Sequence, residues 1–323
     1  MSFPVHRMRR LRRNETIRKM VRECRVGVEN LIYPLFAVHG HGVRNEIKAI
    51  QGNYHFSIDT IVSEAKEVAA LGIPAVLLFG VPEKKDPLAS EAYADDGIVQ
   101  RAVREIKEHV PGLLVITDVC LCEYTEHGHC GIVKDMYLDN DSSLELIGRV
   151  TTSHAKAGAD MVAPAAMLDG QIKTMRTALD HNGFEQVSIM AYSAKYASKL
   201  YDLFFKNGTG GVLAFGDKKS HQMDYANSDE ALREIALDID EGADIIMVKP
   251  GLMYLDIVYR AKNEFKMPLA VYNVSGEYAM IKAAAREKQI DEGEMTMELM
   301  TAFRRAGADL IITYHAKDFA KQL

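Results

Sequence analysis

Residues 241–251 read EGADIIMVKPG, and the first six nearly recur at three other places: LGIPAV at 71–76, AGADMV at 157–162 and AGADLI at 306–311. Each copy places a Gly where a helix would end, in the left-handed conformation that stops helices, and follows it with the start of an apolar run. Working outward, eight such runs read as strands: Leu31–Val38, Ala75–Phe79, Leu113–Asp118, Asp160–Ala163, Val187–Tyr192, Asp244–Lys249, Leu269–Asn273 and Asp309–Tyr314. Most are apolar on successive residues, as parallel strands covered on both faces are. Between them lie helical patterns. Ser57–Ala70 sets Ile58, Ile61, Val62, Ala65, Val68 and Ala69 on one face, and Gly97–His109 and Glu230–Glu241 behave alike. A repeating helix–Gly–strand unit, eight strands long, predicts an α/β fold of the (β/α)8 (TIM) barrel type over residues 26–323. The alternative is an open doubly wound sheet. The absence of G-x-G-x-x-G after the first strand counts against its dinucleotide-binding versions.

Composition narrows the function. The chain has 323 residues, 48% hydrophobic and 26% charged, ordinary for a folded protein with a large core. No apolar run reaches the roughly 20 residues of a membrane helix, and Met1–Arg13 lacks the apolar stretch of a secretory signal. Four cysteines are too few for a disulfide framework, so a cytoplasmic location is expected. Net charge is −6, which argues against a nucleic-acid binder. Residues 1–25 hold nine Lys or Arg against two acids; that is +7, leaving −13 on the remainder. A basic N-terminal arm on an acidic body suggests pairing within or between subunits. A nucleic-acid arm is the alternative, weakened by the lack of aromatics among the arginines.

In a barrel of this type the chemistry sits at the C-terminal ends of the strands. The residues found there are Asp118, Cys120, Cys122, Lys195, Lys249, Ser275 and Tyr314. Cys120, Cys122 and Cys130 form C-x-C-x7-C within DVCLCEYTEHGHCGI, a soft donor set suited to zinc. Three protein ligands leave a fourth position open, as in catalytic zinc; the alternative is a structural site closed by His127 or His129. Lys249 ends an otherwise apolar strand, and Lys195 stands just past the strand before it. Burial and a second cation would lower such a lysine's pKa and free its amine to attack a ketone, forming a Schiff base; the alternative is a salt-bridged barrel lysine. Two segments exceed ordinary loop lengths, Cys120–Asp141 and 195–229. The second carries NGTGG and the basic Lys218 and Lys219, read as a lid able to grip a carboxylate or phosphate, or else a solvated hairpin. Tyr272, Tyr278 and Tyr314 are candidates for the site's walls as well as for packing. HGHG at 39–42 reads as a turn.

Together TDVCLCEYTEHGHCGI (117–132), SAKYAS (193–198), GADIIMVKPGLMYLDIV (242–258) and VSGEYAM (274–280) strongly resemble the porphobilinogen synthase (delta-aminolevulinic acid dehydratase) family, zinc-binding type, from RMRRLRR (7–13) to the last strand. The resemblance implies a lyase that condenses two molecules of 5-aminolevulinate into porphobilinogen in haem biosynthesis. It implies Schiff bases on Lys249 and Lys195, zinc on Cys120, Cys122 and Cys130, and a proton-transfer or orienting role for Asp118. Ser275 and Tyr314 would bind one substrate's carboxylate, and Lys218 and Lys206 in the lid the other's. Glu234, in the EALRE match, would join an allosteric magnesium site, and the arm would hold a homo-octamer together. Three departures stand out. Ala165 replaces the family's usual Ser, so that hydroxyl's role is absent or passes to Asp118 or Asp169. The lid's usual Arg aligns with Phe205 or Lys206. Lys replaces Arg at 218, keeping the charge but losing bidentate geometry. The competing readings are an aldolase-type barrel with one Schiff-base lysine and a zinc-stapled scaffold without catalysis.

Overall fold

The computed structural model describes residues 2–201, 208 and 213–323. Its strands are β1 (Leu31–Val38), β2 (Arg44–Glu46), β3 (Tyr54–Phe56), β4 (Ala75–Val81), β5 (Leu114–Val119), β6 (Ile132–Lys134), β7 (Tyr137–Asp139), β8 (Met161–Pro164), β9 (Ser188–Lys195), β10 (Ile245–Lys249), β11 (Leu269–Asn273) and β12 (Leu310–Thr313). The helices are α1 (Glu15–Met20), α2 (Ile58–Ala70), α3 (Ile98–His109), α4 (Asn140–Ala157), α5 (Gln171–His181), α6 (Asp229–Glu241), α7 (Leu255–Phe265), α8 (Ser275–Arg286), α9 (Glu292–Ala306) and α10 (Ala316–Ala320). Strands β1, β4, β5, β8, β9, β10, β11 and β12 pair in parallel in that order, and β12 returns to β1 to close the barrel. The expected (β/α)8 barrel is the observed fold. The hairpin β2–β3 extends the sheet beside the end of β1, and a second hairpin, β6–β7, lies within the long segment after β5.

The repeated junction explains the closure. Gly72, Gly158, Gly242 and Gly307 all have positive φ, from 78° to 121°, so a residue with a Cβ at these helix ends would be strained. The Asp that follows in three of the four copies ties neighbouring strands together. Asp160 accepts from the backbone N–H of Val115 (2.8 Å), Asp244 from that of Ile189 (2.8 Å) and Asp309 from that of Leu269 (3.0 Å). In each case the carboxylate opening one strand satisfies the first amides of the strand before it. Continuous apolar patterning follows from the two buried layers: Leu31, Tyr33 and Leu35 of β1 pack outward with Ile61, Ala65 and Val68 of α2. Ile32 and Phe36 pack inward with Leu77, Phe79 and Ile116. Residues before Gly27 form a short helical turn, Met8–Arg12, and the six-residue α1, capped by Asn14; neither buries a residue. Arm residues Met8, Leu11, Arg12, Arg18 and Arg22 face Met297, Thr301 and Arg305 of α9 across a groove.

Candidate active site at the barrel mouth

The two lysines are register partners: Lys195 ends β9, Lys249 ends β10, and the strands pair there. The expected fifth strand, Val187–Tyr192, is longer in the structure: β9 runs on to Lys195 through a register shift in which Ala191 and Ala194 oppose Ile246 and Val248. The extra residue resets the in–out alternation, so Tyr192 and Lys195 both reach the mouth. The Tyr192 ring lies beneath both amines, its centroid 5.6 Å from Lys195 Nζ and 5.0 Å from Lys249 Nζ. Lys249 Nζ also sits 4.3 Å from the Tyr272 ring and 5.1 Å from the Tyr201 ring. Lys195 Nζ donates to the carbonyl of Ala165, so the backbone engages the lysine at the position where a hydroxyl was expected.

The amines differ in charge. Burial, and then the Lys195 cation, lower the Lys249 pKa to about 7, against an opposing pull from Asp118. Burial also pulls Lys195 down, but the Cys130 and Cys120 sulfurs outweigh it and hold that amine charged. Asp118 lies at the end of β5, pushed well above the usual carboxylate range by burial and then by Glu123, with both lysines pulling it back. Its Oδ1 and the hydroxyl of Tyr192 are both buried, and the two groups interact with each other.

Cys120, Cys122 and Cys130 are buried, and their sulfurs all lie within 4.8 Å of one another. The Cys120–Cys122 separation is 3.3 Å. Sulfurs on a tetrahedral zinc stand about 3.8 Å apart for Zn–S bonds of about 2.3 Å, so the trio fits that ion. Cys130 is held well below the usual thiol pKa by hydrogen bonds from Cys120 and Cys122, whereas burial pushes Cys122 up. The histidine alternative is not assembled: among the described residues the one group of three or more donors that converge on a point is the three cysteines. His129 Nε2 instead donates to the carbonyl of Phe215 (3.1 Å), and His127 Nδ1 accepts from the His129 amide.

Ser275, the first residue of α8, and Tyr314, just past β12, are buried on the Lys249 side. Tyr314 OH lies 3.2 Å from Tyr272 OH. Lys218 faces the other side: burial pulls its amine down, but Cys122, Cys130 and Cys120 raise it further. Lys206 and Phe205 lie outside the described residues. Glu234 is not in the mouth. It lines an outer cleft with Asp169, Asp141 and Glu230, where burial and then Asp169 raise its pKa. Asp169 is therefore placed away from the proton-transfer position, and only Asp118 of the two stands at the mouth. Tyr192 carries no signal in the sequence, because the register shift that aims it inward leaves no mark in a run of small and apolar residues. Glu277, a carboxylate on α8 with no exposed surface, is equally unmarked among the charges of its helix.

These features define a (β/α)8-barrel enzyme with paired lysines and a thiol triad at its mouth. A family model for delta-aminolevulinic acid dehydratase matches residues 5–322. The delta-aminolevulinic acid dehydratase of Synechococcus elongatus is 54% identical over 99% of both chains, and that of Bacillus subtilis 50% identical over 100% of this chain and 99% of its own. A crystal structure of delta-aminolevulinic acid dehydratase (porphobilinogen synthase) from Toxoplasma gondii, in complex with the reaction product porphobilinogen, has a TM-score of 0.95 at 41% identity, covering 98% of this chain and 91% of that one. The chain belongs to the delta-aminolevulinic acid dehydratase family of hydro-lyases. No helix among the described residues is long and apolar enough to cross a membrane.

Proposed function

We propose that this enzyme condenses two molecules of 5-aminolevulinate into porphobilinogen, with loss of two waters, in the cytoplasm. The observation that carries the reading is the registered pair Lys195 and Lys249 over a single tyrosine ring, one amine held charged and the other brought to about half free at neutral pH. A free amine attacks the keto carbon; the adduct loses water, and the resulting Schiff base acidifies the neighbouring C–H. Lys249, with Ser275 and Tyr314, takes one substrate by its ketone and carboxylate. Lys195, with Lys218, takes the other, and Lys206 in the lid adds charge for the same carboxylate. Asp118, its carboxyl raised to about 7 by burial, gives a proton to the departing hydroxyl and accepts one from the acidified carbon. The buried Asp118 carboxylate and Tyr192 hydroxyl would meet substrate atoms.

Cys120, Cys122 and Cys130 would hold a zinc ion, and the fit of their sulfurs supports that class. When bound, such an ion supplies Lewis acidity beside the substrates. Glu234 and Asp169 would take part in holding a magnesium ion in the outer acidic cleft, a regulatory site distinct from the chemistry. The arm, with its net +7, would join subunits of a homo-octamer. Incubation with 5-aminolevulinate and zinc, read with Ehrlich's reagent for a pyrrole, tests the activity. Borohydride trapping with peptide mapping tests the lysines. Folded, zinc-loaded enzyme that yields no pyrrole would overturn the reading.

A further inference from the structure

Glu277 lies on α8 with 0% exposure, and its carboxylate is surrounded by four N–H donors. Oε1 accepts from the amides of Gly251 (3.0 Å) and Leu252 (2.7 Å), the turn directly after Lys249. Oε2 accepts from Asn273 Nδ2 (2.9 Å) and the Val274 amide (3.0 Å), at the end of β11 and the start of the helix that carries Ser275. The connection continues: Thr313 Oγ1, on the last residue of β12 and next to Tyr314, donates to Asn273 Oδ1 at 2.8 Å. One buried carboxylate thus fastens together the ends of β10, β11 and β12. These three ends carry Lys249, Ser275 and Tyr314.

Helix capping accounts for one of these four bonds, that from the Val274 amide at the start of α8. A buried carboxylate is costly, and an apolar residue of similar shape often serves a core as well or better. Burial pushes this carboxyl up to about 7 against the pull of its four donors. What a carboxylate offers and an apolar side chain does not is fixed separation among several backbone segments, each held at its amide. We infer that Glu277 is a positioning residue for the condensation: it sets the spacing between the amine of Lys249 and the carboxylate-binding pair Ser275 and Tyr314. The inference rests on the proposal above that these residues grip one substrate by its ketone and its carboxylate. Glu277 touches no substrate; it acts through the strand ends it holds.

The experiment uses the full-length, zinc-loaded enzyme. Glu277→Gln keeps the shape but turns an NH2 toward two of the four donors. Asn273→Ala removes one donor and leaves three, and it carries the test if Glu277→Gln does not fold. Gln100→Leu is the control: Gln100 is buried on α3, away from the mouth, where it donates to the Ala92 carbonyl and Ser153 Oγ. Two quantities are read besides unfolding temperature. One is kcat against KM for 5-aminolevulinate. The other is the ratio of borohydride trapping at Lys249 for 5-aminolevulinate over aminoacetone, which keeps the amine and ketone but lacks the carboxylate. Misplacement by about 1 Å is worth about 100-fold in rate, so Glu277→Gln is expected to lose roughly 10–100-fold in kcat and most of its preference for the carboxylate-bearing ketone. Asn273→Ala moves the same way by less, and Gln100→Leu lowers the unfolding temperature with both quantities unchanged. Trapping at Lys249 in the parent enzyme with an unaltered ratio in both variants would overturn the inference alone. No trapping at Lys249 in the parent enzyme would overturn it together with the Schiff-base reading.

Discussion

Replacing Lys195 by Met should make Lys249 a worse nucleophile at neutral pH and a normal one at alkaline pH. Both amines stand over the Tyr192 ring, 5.6 and 5.0 Å from its centroid, so they are no more than about 11 Å apart. At an effective dielectric of about 20, two unit charges at that limit repel by about 1.5 kcal/mol, about one pK unit. Removing the cation therefore raises the Lys249 pKa from about 7 by about one unit or more. The protonated amine cannot attack, so at pH 7 the free fraction falls from about one half to about one tenth or less. The assay is the initial rate of borohydride trapping of 5-aminolevulinate at Lys249, mapped by peptide, from about pH 5.5 to about pH 9. The midpoint should move to alkaline pH in Lys195→Met. Asp118→Asn supplies the opposite sign: the carboxylate pulls the Lys249 pKa up, so its loss moves the midpoint to acid. A midpoint that stays in place in Lys195→Met, or moves to acid, would refute the idea that the two lysines sense each other across the mouth.

Lys249→Met should abolish turnover and trapping at that position while leaving the unfolding temperature at pH 7 equal or higher. A lysine with a depressed folded pKa costs stability fully below about pH 7, and the cost fades as pH rises toward about 10.4; a marked loss of stability at pH 7 would contradict this. Cys122→Ala should lower zinc content and activity together with little change in thermal unfolding, since an open three-ligand site contributes less to folding than a closed one; zinc analysis and calorimetry decide. Glu234→Ala should weaken stimulation by magnesium and leave zinc-dependent turnover in place, measured by magnesium titration of activity. Deleting Met1–Arg13 should shift the enzyme to smaller, less active oligomers with the barrel folded, because no residue of Met8–Arg12 is buried against its own chain; sedimentation velocity with an unchanged assembly and full activity would end that reading.

The barrel was legible because its grammar is local. A Gly at each helix end and an Asp opening three strands state where one unit stops and the next begins, and the carboxylates of Asp160, Asp244 and Asp309 close the ladder that the repeat implies. The cysteines were legible for a related reason: three donors within eleven residues converge whatever the surrounding loop does. What sequence could not supply is direction. Spacing left His127 or His129 open as a fourth ligand, yet the loop turns His129 toward Phe215, and among the described residues the three thiols alone converge. Strand periodicity would have turned Tyr192 and Lys195 to opposite faces, being three residues apart, and one extra residue in β9 brings both to the mouth. The consequence is chemical. Two identical side chains on adjacent strands acquire different charge states, because one faces thiols and the other faces tyrosine rings and its twin. A reaction that joins two copies of one substrate in unlike roles needs such inequality at its start, and here it arises from the register of two strands.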